Sequence, residues 1–328
     1  MGYARKSLVS LQDTPYYHLI GRCVRRAWLW GFDEYAGKDY SHRKQWVLDR
    51  MTRLSQAFAV DVCSYAIMSN HYHLVVHVDQ QRAKEWTTEE VIERWGLIFK
   101  IPPFVRLYQS GEATKAECHA AEKKLRTWRL RLHDVSWYMR CLNEYLARRA
   151  NAEDRCRGRF WESRFKSQAL LDDTGLVTAM AYVDLNPIRA GIAATPENSD
   201  FTSVKARVDV REAKGRSAAT SAQLNLLPFR EDAQRPPCLP FTLNDYLQLL
   251  DWTGRQIRRG KRGYIDSDQP PILERLRIDR GAWQAMMQSG NRFGRALGPL
   301  DHLRVHAITM AQSWIRGLKQ AAQLFPES

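Results

Sequence analysis

The chain has 328 residues, 44% of them hydrophobic, with 50 Lys and Arg against 36 Asp and Glu and a formal net charge of +14. Such a content of apolar residues excludes a disordered chain and suffices for one generous domain with a smaller second one, while the charge favours a polyanionic partner, nucleic acid before membrane. No run of 18 apolar residues and no signal core after Met1 is present, and the six cysteines form no Cys-x-x-Cys pair, so no membrane span, disulfide framework or zinc knuckle is suggested and a reducing cytoplasm, near the nucleoid, is expected.

Tyr16 to Trp30 mixes aromatic, β-branched and basic residues and predicts a strand with a functional face. Trp46, Val47, Met51, Leu54 and Phe58 recur at helical spacing over Ser41 to Phe58. Asp61 to Met68 and His71 to Val78 predict an antiparallel strand pair joined at Ser69-Asn70. A capping box, Thr87-x-x-Glu90, opens a helix that Pro102-Pro103 should end. Two more helices are predicted over Ala113 to Leu132 and Val135 to Arg149, with Tyr138, Leu142 and Tyr145 on one core stripe. Arg155 to Leu171 alternates enough for a fourth strand, and Asp172-Asp173-Thr174 starts a helix that Pro187 should terminate.

This order predicts an α+β fold, an antiparallel sheet with helices on one face, in a catalytic domain over residues 1–207 with a helical insertion at about 80–135. Polar, proline-rich residues 208–240 read as a linker, and 241–328 as a helical C-terminal module.

Two pairs of residues carry chemistry. His71 and His73 alternate on a strand, so both imidazoles leave one face and can grip a divalent metal. His77 shares that face but lies about 13 Å along the strand from His73 and reads as structural. Tyr182 and Asn186 stand one helical turn apart, displaced from an apolar stripe through Leu176, Met180 and Val183. A tyrosine hydroxyl attacks phosphorus only when a metal polarises the phosphate and the proton is removed. Asn186 could complete the metal shell, and two imidazoles with a neutral amide suit Mg2+ or Mn2+.

The segments Met68-Ser-Asn-His71-Tyr-His73-Leu-Val, Gly158-Arg-Phe-Trp-Glu-Ser-Arg-Phe-Lys166 and Tyr182-Val-Asp-Leu-Asn186-Pro-Ile-Arg-Ala-Gly191 together resemble the HUH endonucleases, specifically the single-tyrosine, REP-associated tyrosine transposases. The resemblance spans residues 14 to 205, and its Tyr-x-x-x-Asn-Pro-x-Arg-Ala-Gly block is far more specific than His-x-His. It implies a ferredoxin-like core, a metal held by His71, His73 and Asn186, and attack by Tyr182 on single-stranded or hairpin DNA through a 5′-phosphotyrosine intermediate. Tyr72 between the histidines is bulkier than the family's usual aliphatic residue, the segment from 80 to 135 is longer than the compact family members need, and the C-terminal module lies outside the shared core. A homodimer is expected, with a monomer as the alternative.

DNA contact is legible without the family. Arg155, Arg157, Arg159, Arg164 and Lys166 interleave with Phe160, Trp161 and Phe165, cations for phosphates among rings for unpaired bases. Arg255, Arg258, Arg259, Lys261 and Arg262 form a second basic run without an acid. Two other readings stay open: a DNA-binding regulator on the same fold that no longer cleaves, and a zinc hydrolase of small molecules, which lacks obvious further ligands.

Overall fold

The structure, a computed structural model, describes residues 9–24, 31–33, 37–213, 224–233, 236–257, 273, 276–289, 294–312, 315 and 317–325. Its centre is a five-stranded sheet. Strand β1 (Tyr16–Arg22) is followed by a ribbon of β2 (Phe32–Asp33) and β3 (Lys38–Asp39), helix α1 (Arg43–Ala57), and the paired strands β4 (Val60–Ile67) and β5 (His71–Val78). Four helices follow, α2 (Gln80–Glu85), α3 (Thr88–Gly96), α4 (Pro103–Ser110) and α5 (Lys115–Arg131), and then the long α6 (Val135–Glu153). Strand β6 (Lys166–Leu170) leads into α7 (Asp173–Asp184), the single turn α8 (Asn186–Arg189), α9 (Ser203–Ala213) and α10 (Leu243–Ile257). The sheet order is β4-β5-β1-β6-β7, where β7 is Ala296–Leu297; only the β6–β7 pair is parallel.

Helices cover both faces of this sheet, not one as expected. Successive residues of β5 point opposite ways. Tyr72 donates its hydroxyl to Asn143 Oδ1 of α6, against which α1 packs, whereas His73 meets α7 and α8 on the other side. Nearly every residue of β4 and β5 is buried, the pattern of strands covered twice. Gly21 makes room for Tyr72: the two are paired across β1 and β5, and a Cβ on Gly21 would sit 2.6 Å from the tyrosine ring.

The insertion is helical as expected, with the Thr87/Glu90 capping box formed and Trp95 stacked on Trp128 at 4.8 Å. Pro103 opens α4 at its first turn, where its missing N–H costs nothing, so the two prolines start a helix instead of merely ending one. Helix α7 ends at Asp184, shortly before Pro187 as expected, but the chain does not leave the helical course there. The chain bends at Leu185 and continues through Pro187 as α8.

Three expectations about the second half are corrected. The predicted strand over Arg155 to Leu171 is regular only from Lys166; Arg155 and Gly158 take positive φ values of 49° and 148°, which break an extended run. Residues 160–162 join the edge of β1 through Val24 N–H to the Phe160 carbonyl and Glu162 N–H to the Arg22 carbonyl, while 25–30 lie outside the described residues. The described parts of 208–240 are no free spacer, since α9 continues to Ala213 and Leu227 N–H bonds the Val62 carbonyl of β4. Nor does the C-terminal stretch stand apart. It supplies β7 to the sheet, α10 packs on α7 and α8, and His306 bonds Asp13.

Asp184 ties these parts together. Its buried carboxylate accepts from Ser203 Oγ at 2.6 Å, Val204 N–H at 3.0 Å and Tyr246 Oη at 2.6 Å, joining α7 to α9 and α10. Burial raises its pKa although all three bonds oppose that. Asp184→Ala orphans three buried donors and is expected to cost about 3 kcal/mol of stability. An unchanged denaturant midpoint would show that the carboxylate is not the tie.

Candidate active site

One row of the sheet runs Lys166, Ile20, His73, Ala66, and its neighbours add Arg22 beside His71 and Gln168 beside His18. Paired residues share a face, so Arg22, His18, His71, His73, Gln168 and Lys166 all face α7 and α8. The His71 and His73 rings lie 5.0 Å apart, as the alternation predicts. His77 is separate, bonded to Asp61 at 3.2 Å, in line with a structural role.

Helix α7 is buried on every side, so the expected apolar stripe does not exist; orientation comes from packing all round. It brings Tyr182 edge-on to His73 at 5.7 Å and to His18 at 6.2 Å between ring centroids. The bend at Leu185 then turns α8 so that Asn186 Nδ2 lies 3.2 Å from His73 Nε2. Arg189, one turn on, donates to Tyr182 Oη at 2.8 Å, with its guanidinium 4.4 Å over the tyrosine ring. Arg189 Nη1 is buried and has no hydrogen-bond partner among the described residues. A buried cationic donor left unpaired is costly, and an anion is its natural partner.

Burial pushes His18 and His71 down to about 4, with Arg22 and then Arg189 adding to the effect on His71. His73, fully enclosed and beside His18, is held well below the ordinary imidazole value, by burial first and then by its neighbours. All three imidazoles are therefore neutral at pH 7, the form that binds metal. The sign follows: between pH 6.5 and 4 the unfolded chain takes protons that the folded chain refuses, so stability is complete above 6.5 and falls as the pH drops. Each such histidine contributes up to about 1.4 kcal/mol per pH unit. Denaturant midpoints in chelator at pH 7.5 and 5 should separate more for the wild type than for His18→Gln; equal separations would mean that His18 is solvated.

Among the described residues no group of three or more His, Cys, Asp or Glu could hold a metal. The donor set here is two imidazoles and an amide. It fits a divalent ion that completes its shell with oxygen ligands, provided the Asn186 amide turns to present its oxygen in place of Nδ2.

The structure brings together Tyr182, His71, His73 and Asn186, which were singled out in the sequence. Sequence reasoning missed His18, Gln168, Arg22 and Arg189. Arg189 was in view, within the Tyr-x-x-x-Asn-Pro-x-Arg block, and Arg22 and His18 alternate on the strand with a suspected functional face. Gln168 carried no signal. Of the basic track, Arg155, Arg157, Arg159 and Arg164 are exposed in an irregular loop, and Lys166 is exposed on the site's own face. Phe160 is a correction: it is 4% exposed, so it is a core residue with no free face for a base. Phe165 is buried too, and Trp161 is half-buried, donating its indole N–H to the Asn143 carbonyl. Arg255 is exposed and paired with Asp251, while Arg258, Arg259, Lys261 and Arg262 lie outside the described residues.

No family model matches the chain, and no curated protein does. Among solved structures it is similar to a REP-associated tyrosine transposase bound to a REP hairpin, with a TM-score of 0.38 and 11% identity over 69% of this chain and 99% of the other. At that distance the likeness carries no argument about this chain. No helix among the described residues is long and apolar enough to cross a membrane.

Proposed function

We propose that the chain is a metal-dependent nuclease and strand transferase for single-stranded DNA with a hairpin, on a ferredoxin-like core of the HUH type. The observation that carries this is the Tyr182 hydroxyl, held by Arg189 and set edge-on against His73. Tyr182 Oη gives up its proton to water as it attacks the phosphorus, the bond to O3′ breaks, O3′ takes up a proton from water, and the 5′-phosphate stays on the tyrosine. Attack by a 3′-hydroxyl on that phosphotyrosine rejoins a strand and frees Tyr182. Arg189 steadies the phenolate that forms, and its unpaired Nη1 with exposed Arg22 and Lys166 offers cations to the phosphodiester. A Mg2+ or Mn2+ ion held by His71, His73 and Asn186 supplies, when bound, further positive charge against the phosphate oxygens.

The test is a labelled hairpin oligonucleotide incubated with the protein and Mn2+. A covalent adduct on a denaturing gel that EDTA prevents is expected, and no adduct under any divalent ion would overturn the reading. A second reading is favoured by one observation, the 4% exposure of Tyr182: a DNA-binding regulator that no longer cleaves. Tight binding to the hairpin without adduct would select it.

A further inference from the structure

The site contains a chain of hydrogen bonds whose direction can be read from one end. Gln168 lies between the carbonyl of Gly294 and the ring of His18, with Nε2 3.0 Å from the Gly294 oxygen and Oε1 3.2 Å from His18 Nδ1. A peptide carbonyl only accepts, so the Gln168 amide NH2 donates a hydrogen bond to it and the amide oxygen is turned towards His18. His18 Nδ1 must then carry the proton, which leaves Nε2 as a bare acceptor. His18 Nε2 is 2.9 Å from His73 Nδ1, so that nitrogen is the donor and carries the His73 proton. The lone pair of His73 is thereby fixed on Nε2, where the Asn186 amide NH2 donates to it at 3.2 Å. His71 Nδ1 lies 2.7 Å from the side-chain amide of Asn70, through Oδ1.

We infer that His18 and Gln168 are positioning residues that act through His73, fixing its tautomer so that Nε2 faces the site as a metal donor, and that the backbone of Gly294 sets the direction of the whole relay. The arrangement is a histidine oriented by hydrogen bonds beyond the metal itself, here supplied by a second imidazole where a carboxylate is common. A carboxylate would place a negative charge in a region where His18 and Gln168 are both buried, and the neutral relay avoids that cost. It also gives the C-terminal stretch a part in the site. Gly294 immediately precedes the β7 region, whose backbone bonds β6 through Ala169 N–H to the Arg295 carbonyl and Leu171 N–H to the Leu297 carbonyl. The strand pairing thus holds the carbonyl that orients Gln168.

The metal part of the inference rests on the proposed function; the tautomers do not. The experiment uses the full-length protein with 15N-labelled histidine, and Mn2+ alone as the probe. Long-range proton–nitrogen spectra of the metal-free wild type should show His18 and His73 both protonated on Nδ1. His18→Phe keeps a ring but removes the acceptor, and it should weaken Mn2+ binding by about 10- to 100-fold. His18→Gln puts an amide oxygen near the place of Nε2 and should restore affinity to within about threefold of wild type, which loss of packing alone would not explain. A His73 proton on Nε2 would overturn the inference, as would a folded His18→Phe that binds Mn2+ like wild type. If the wild type binds no Mn2+ at all, the metal reading of the proposed function falls, and the tautomers still decide whether the relay exists.

Discussion

Tyr182→Phe is expected to lower strand cleavage by roughly 10⁴-fold or more and to abolish the covalent adduct, while leaving hairpin binding within about twofold. The expectation is sharp because the substitution removes one oxygen and little else. The tyrosine ring packs edge-on against His73 and His18 and beneath the Arg189 guanidinium, and phenylalanine keeps all three contacts. The hydrogen bond from Arg189 is lost, and its Nη2 is released for a phosphate. Fold and DNA affinity should therefore survive while the nucleophile does not. The comparison is made with single-turnover cleavage and filter binding on the same oligonucleotide. Residual adduct in the variant would move the nucleophile elsewhere.

Arg189→Ala carries the second largest effect, a loss of about 10³-fold in cleavage, or about 4 kcal/mol of transition-state stabilisation. One guanidinium contacts the tyrosine oxygen through Nη2 and keeps Nη1 buried without a partner. Charge develops during attack on both the tyrosine oxygen and the phosphate, and a preorganised cation between them is worth most in a site that excludes water. Arg189→Lys retains charge without the fork, and should recover only part of the loss. The defect should appear in the rate of the chemical step measured at saturating DNA. A variant that loses affinity and keeps its rate would make Arg189 a binding residue only.

Much of the core was legible because its signals are local. The alternation of His71 and His73, the α1 stripe through Val47, Met51 and Leu54, and the Thr87 capping box each depend on neighbours a few residues away, and each is found in the structure. What was not legible depends on contacts between distant segments. Phe160 and Phe165 read as stacking rings, yet the loop that carries them is folded against β1 and buries both. The polar stretch after residue 208 read as a spacer because its few anchors, such as Leu227 on Val62, carry no periodic pattern. Two-residue strands like β7 are too short to show alternation, so the incorporation of the C-terminal stretch into the sheet left no trace.

The site followed the same rule. His71, His73, Tyr182 and Asn186 announce themselves by spacing, whereas His18 and Gln168 reach His73 only because β1 and β6 are adjacent in register. Arg189 falls between these cases. It lies in the recognisable block, but its role shows only once α8 turns it back onto Tyr182.

If Tyr182 is the proposed nucleophile, it becomes covalently joined to DNA. The most direct measurement is mass spectrometry of the protease-digested adduct formed by wild-type protein on a hairpin oligonucleotide with Mn2+. A single modified peptide bearing a 5′-phosphorylated nucleotide on Tyr182 is expected. A nucleotide on any other residue, or cleavage of the strand with no modified peptide, would contradict it.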